Sequence, residues 1–125
     1  MNRILLVLLG LTTVSAQAAT PAYTKAQATQ GAAVDKAQCA LCHGSTLQNG
    51  GAPKLAGSAF LLKWGSNSLD DFHSIMSTTM PQTHPGALKP EQYINLVAYV
   101  LQQNGFKPGT TALKAANLKQ YTFRK

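Results

Sequence analysis

An all-α fold follows from two features of the chain. No stretch alternates apolar with polar residues over a useful strand length. Helix boundaries punctuate it instead: Ser68-Leu69-Asp70-Asp71 and Pro90-Glu91 read as N-termini, and Asn104-Gly105 as a C-terminus. The 125 residues suit one domain, and no internal repeat divides them.

The first residues read as an address rather than as structure. Asn2-Arg3 is a positive start, Ile4 to Leu11 is an apolar run, and Ala16-Gln17-Ala18 is a small-x-small cleavage pattern. The run falls well short of the roughly 20 apolar residues a spanning helix needs. Residues 1–18 are therefore expected to be a signal peptide cut before Ala19, with no membrane span in the mature chain. The expected location is the periplasm. Residues 19 to about 24 form a small polar leader. Lys25 to Cys39, rich in Ala, Gln and Lys with Gly31 as its breaker, suits a helix. Gly44 through Pro53 is rich in Gly, Ser and Asn and predicts loop. Ser58 to Trp64 is a short apolar segment ended by Gly65. Ser68 then caps a helix to about Thr78, with Asp70 and Asp71 in its first turn. Pro81 and Pro85-Gly86 break the chain again. Pro90 to about Gln103 is the clearest helix, with Pro in the first turn and a stop at Asn104-Gly105. Its apolar set (Tyr93, Ile94, Leu96, Val97, Val100, Leu101) is wide enough to be mostly buried. Past Phe106, a short helix is expected around Ala112 to Lys119.

The chemistry lies in Cys39-Ala40-Leu41-Cys42-His43, a C-x-x-C-H attachment site for c-type haem. On a helix, positions i, i+3 and i+4 share a face. Cys39 and Cys42 can thus form thioethers with the two vinyl groups of one porphyrin, and His43 can ligate its iron. Covalent attachment also staples a domain too small for a generous core. Three other readings fit less well. A plain disulfide gives His43 no role. A thioredoxin-like pair wants strands around it. Structural zinc wants two more ligands, and His73 and His84 are not paired for that.

Met76 and Met80 are candidates for the other axial position, with His73 and His84 behind them. Met76 falls inside the predicted helix at a spacing shared with Phe72 and reads as a core methionine. Met80 precedes Pro81, which disfavours helical geometry and pushes Met80 into extended chain. An extended methionine can present its sulfur to an iron. The expected metal ligands are His43 and Met80.

The formal net charge is +7. Removing Arg3 with the signal still leaves the basic residues well ahead of Asp35, Asp70, Asp71 and Glu91. That balance favours redox partners with acidic docking surfaces, met in a salt-dependent way. The basic residues are scattered, with no cluster interleaved with aromatics, so nucleic acid is not an expected partner. With four carboxylates, none paired with a nearby histidine, a separate catalytic site has little material, and the chain is not expected to be an enzyme.

Over about Gln30 to Phe106 the chain resembles the class I cytochromes c. The matching features run in order: Gly31 eight residues before Cys39, C-x-x-C-H-G to Gly44, and Gly50-Gly51-Ala52-Pro53 with Leu55 and Gly57. Then come Thr79-Met80-Pro81 with Pro85-Gly86, and a closing helix carrying Leu96-Val97-Ala98-Tyr99. The chain looks closest to cytochrome domains and subunits that partner periplasmic quinoprotein alcohol dehydrogenases. The resemblance implies a few helices wrapped around one covalent haem c. It implies that the Pro53 carbonyl accepts the free N–H of His43, and that Trp64 lies near a haem propionate, where an ordinary core aromatic is the alternative. Gly31 would let the first helix approach the last near Tyr99. One departure is Asp35, where the family often has an aromatic between the terminal helices. Either that contact is made differently, or the interface is more open. His84, unusual beside Pro85, reads as a surface histidine, with a pH-dependent feature of the haem rim as the alternative. On this division residues 19–29 are a leader, 30–106 the cytochrome c domain and 107–125 a basic tail without a readable role. The expected function is one-electron transfer on a His/Met-ligated haem. The alternatives are an electron-accepting subunit of a periplasmic dehydrogenase complex, and a haem catalyst or gas sensor with a labile sixth ligand.

Overall fold

The computed structural model describes residues 19–125, so the expected signal at 1–18 lies outside the described residues. The elements follow the predicted order: α1 Lys25–Gln38, α2 Ala40–His43, α3 Ser58–Trp64, α4 Leu69–Thr79, α5 Pro90–Gln103 and a 3-10 helix Ala115–Gln120. Among the described residues, β-structure is limited to isolated bridges, such as Ser68 with Thr122. The fold is all-α, as expected.

Local chemistry accounts for the boundaries. Thr24 caps α1: its hydroxyl accepts from the Gln27 N–H at 3.2 Å while Gln27 Oε1 accepts from the Thr24 N–H at 3.2 Å. The predicted helix to Cys39 ends one residue sooner. Cys39, at φ −120°, interrupts the helix, and α2 resumes at once. Ser68 and Asp71 form the same reciprocal box at α4, with N–H to oxygen distances of 3.0 and 3.1 Å. The Ser68 hydroxyl, donating to Asp71 Oδ2 at 2.7 Å, and then the Ser68 N–H lower the pKa of the Asp71 carboxyl from its ordinary value. α5 opens on Pro90 and stops at Asn104, with Gly105 following at φ 81°.

α1 crosses α5 at Gly31, where an added Cβ would collide with the Asn95 carbonyl and meet Tyr99 Cβ at 2.9 Å. The helices therefore touch backbone to backbone, and the Asn95 amide donates to Gln30 Oε1 at 2.9 Å beside the crossing. Asp35 is buried in this region. The approach expected at Gly31 is present, and the interface closes around a buried Asp35 where an aromatic is usual.

Packing runs past the stretch that carries the resemblance. Leu113, Leu118, Tyr121 and Phe123 join the same core as Tyr23, Phe60, Phe72 and Leu101. Phe123 sits edge-on to Phe60 and Phe72, with ring centres 5.0 and 5.3 Å apart. The leader is tied in as well: the Tyr23 hydroxyl donates to the Phe106 carbonyl, and the Tyr23 carbonyl accepts from Gly109 at 2.8 Å. The final helical turn starts later than expected. Gln27 holds both Leu113 backbone groups, accepting from its N–H at 2.9 Å and donating to its carbonyl at 2.8 Å. Leu113 is thereby kept out of a helical ladder, and the 3-10 helix begins at Ala115.

Candidate haem site

α2 builds one wall of the site. Its single turn places Cys39, Cys42 and His43 along a cavity and turns Leu41 outward, 97% exposed. Gly44 then reverses the chain at φ 83°. The loop folds back on α2, with the Ala52 N–H donating to the Cys42 carbonyl at 2.9 Å. That return brings Pro53 under the histidine. His43 Nδ1 lies 2.8 Å from the Pro53 carbonyl oxygen. A carbonyl only accepts, so Nδ1 carries the proton and Nε2 keeps its lone pair for a metal. The contact expected between Pro53 and His43 is present.

Met80 comes to the same cavity from the end of α4. It is the C-cap, extended at φ −120° and ψ 152°, as Pro81 requires, and its N–H donates to the Met76 carbonyl at 2.9 Å. Met76, one turn earlier, also lines the cavity, so it is more than the core methionine expected of it. Tyr93 and Leu96 of α5 complete the wall. This part measures about 800 Å³, including space open to solvent. A second lobe of about 670 Å³ shares His43, Pro53, Leu55, Met76 and Met80 with it, so the two form one slot. Trp64 borders the second lobe with Lys54 and Lys63. Its ring packs edge-on to Phe72 at 5.2 Å, and the Lys63 ammonium lies 5.6 Å from its centre. Trp64 is packed against the core and also borders the slot beside Lys54 and Lys63. Neither His73 nor His84 lines the slot.

Electrostatics separate the rival uses of the cysteines. Burial pushes the Cys39 thiol up to about 11, with the charge of Asp35 and then Cys42 adding to it. A dithiol redox pair is helped by a lowered thiol pKa and sits among strands, and this raised thiol on a helical turn has neither feature. Among the described residues no group of three His, Cys, Asp or Glu could hold a metal ion, which removes structural zinc. A haem fits the residues present. The slot is mostly apolar, with two thiols on one wall, an imidazole whose Nε2 is free, and a thioether from a second element. Sequence reasoning did not assign Tyr93, Leu96, Lys54 or Lys63 to the site. Tyr93 and Leu96 looked like ordinary core positions of α5, and no local signal marks which core residues will face a cofactor.

The family described as cytochrome c oxidase, cbb3-type, subunit III matches residues 26–100. No curated protein and no solved structure matches. The likeness to cytochromes of quinoprotein alcohol dehydrogenases gains no support from these comparisons. The matched stretch holds every wall of the slot, from Gln38 to Leu96. The chain belongs to the cytochrome c oxidase, cbb3-type, subunit III family, and is a class I c-type cytochrome whose covalent haem serves electron transfer.

Proposed function

We propose that the chain is a periplasmic electron carrier, not an enzyme, with a single haem c bound through Cys39 and Cys42 and ligated by His43 and Met80. The supporting observation is that the free Nε2 of His43 and the extended Met80 belong to one apolar slot although they come from different elements. The haem supplies a one-electron couple, and methionine ligation raises its potential relative to nitrogen ligands. The chain's residues do the rest. Pro53 holds the imidazole in one tautomer and orientation. The apolar walls would pack against the porphyrin. Lys54 and Lys63, bordering the second lobe with Trp64, offer positive charge to the propionates. The net charge of +7 favours redox partners with acidic docking surfaces. Export rests on the pattern of residues 1–18 and on the attachment motif itself.

The absorption spectrum of the reduced, exported protein tests this reading. Carbon monoxide is expected to leave it unchanged, because His43 and Met80 would both hold the iron. Met80→Ala is expected to bind the gas promptly, with a shifted Soret band, while Met76→Ala behaves as wild type. The reverse pattern for the two methionines overturns the ligand assignment. A prompt shift in the wild type turns the reading to a haem catalyst or gas sensor.

A further inference from the structure

The loop that follows Met80 has little to hold it. Residues 82–87 are exposed, and of these only Gln82 borders the slot, so 83–87 gain no packing against core or slot. Its internal bonds are local turns: His84 N–H to the Pro81 carbonyl at 2.9 Å, Gly86 N–H to the Met80 carbonyl at 3.2 Å, and Ala87 N–H to the His84 carbonyl at 3.2 Å. None of these fixes the loop relative to the slot. Met80 hangs from α4 by one backbone bond, to Met76. A methionine on such a segment would leave an iron easily, since exposed loops with few buried contacts open at low free energy.

Tyr93 supplies the missing tie. Its ring is buried in α5, 3% exposed, with the His73 ring edge-on at 6.3 Å. Its hydroxyl donates to the Met80 carbonyl at 2.7 Å and accepts from the Leu88 N–H at 3.4 Å. One oxygen thus joins both ends of the loop to a rigid helix. Among the described residues, Tyr93 is the one residue beyond this loop and its parent helix that hydrogen-bonds to any part of 80–88. We propose that Tyr93 is the positioning residue of the sixth-ligand site: its hydroxyl clamps the backbone of Met80 so that the sulfur stays on the iron and small ligands stay off.

The proposal rests on Met80 being the ligand, and the test separates the two. Rates of carbon monoxide binding to the reduced holoprotein are compared for wild type, Met80→Ala, Tyr93→Phe and Tyr23→Phe. Tyr93→Phe keeps the ring and removes one hydroxyl. It is expected to raise the ligand-off population, and with it the binding rate, about fivefold, the factor that corresponds to losing the shorter of its two hydrogen bonds, the one to Met80. The ferric protein should show a matching weakening of the methionine-to-iron charge-transfer band. Tyr23→Phe also removes a buried hydroxyl that donates to a backbone carbonyl, but away from the slot. It is expected to lower stability and leave the rate unchanged. If Met80→Ala binds the gas no faster than wild type, the ligand assignment falls, and the clamp with it. If Met80→Ala opens the iron while Tyr93→Phe matches wild type, the clamp alone is overturned. Equal acceleration in Tyr23→Phe and Tyr93→Phe also overturns it, since general loosening would then account for the effect.

Discussion

Burial of Asp35 raises its carboxyl above the ordinary aspartate value of 3.8, because desolvation disfavours the charged form. The folded protein therefore holds this proton more tightly than the unfolded chain does. The stability linked to it is intact below 3.8 and is lost as pH rises through the raised value. At neutral pH the buried carboxylate is a burden, and its charge also pushes up the Tyr99 hydroxyl, after burial. Asp35→Asn keeps the shape and removes the charge. It is expected to stabilise the protein at neutral pH, with the gain fading towards zero as the solution is taken below 3.8. Urea midpoints across the acid-to-neutral range check this, and a variant less stable at neutral pH would show that the carboxylate is a favourable member of the interface. The sequence flagged Asp35 as a departure but could not say whether it was buried, because that depends on how α1 meets α5. Other residues were more legible. Cys39, Cys42 and His43 declare themselves because thioether geometry demands a fixed spacing, and Met80 because Pro81 dictates its backbone. Tyr93 does not, since its hydroxyl finds Met80 only after thirteen residues of chain have folded back.

Helices were read well where their ends carry chemistry. Ser68 with Asp71 and Pro90 with Asn104 set α4 and α5 close to their predicted limits. The cap of α1 was readable too, since Thr24-x-x-Gln27 is a capping-box pattern, yet the helix was expected from composition alone. What no local pattern gives is the crossing of α1 and α5. Gly31 makes it possible: any side chain there would strike the Asn95 backbone carbonyl, which belongs to a rigid helix and cannot step aside. Gly31→Ala should gain a little helix propensity, up to about 1 kcal/mol. Overpacking against backbone opposes that gain by about 1–3 kcal/mol or more, so net destabilisation is expected. Denaturation of the holoprotein measures the sign. A more stable Gly31→Ala variant would mean that the helices can separate slightly at no cost, and that the close approach is incidental.

At the scale of the whole molecule, the haem-bearing stretch is closed by segments on either side of it. The tail was legible as basic, through Lys114, Lys119, Arg124 and Lys125, but not as core. Leu113, Leu118, Tyr121 and Phe123 follow neither a helical nor a strand period, so no pattern marked them as buried. Their burial comes from long-range partners: Gln27 for the backbone of Leu113, Leu69 for the Tyr121 carbonyl at 2.9 Å, and Phe60 and Phe72 for the ring of Phe123. Phe72 also borders the slot, so the tail braces the wall on which Trp64 and Met76 stand. Phe123→Ala would leave a cavity at that brace and should cost about 3–5 kcal/mol. Arg124→Ala, at an exposed neighbour, should stay within about 0.5 kcal/mol. Because the tail touches no proposed ligand, the spectrum of folded Phe123→Ala should match wild type while its urea midpoint falls. Following unfolding by far-ultraviolet dichroism and by the Soret band decides how the tail belongs. Coincident transitions are expected of one cooperative core. An early step seen in dichroism alone would make the tail a separate layer over a cytochrome domain that stands without it.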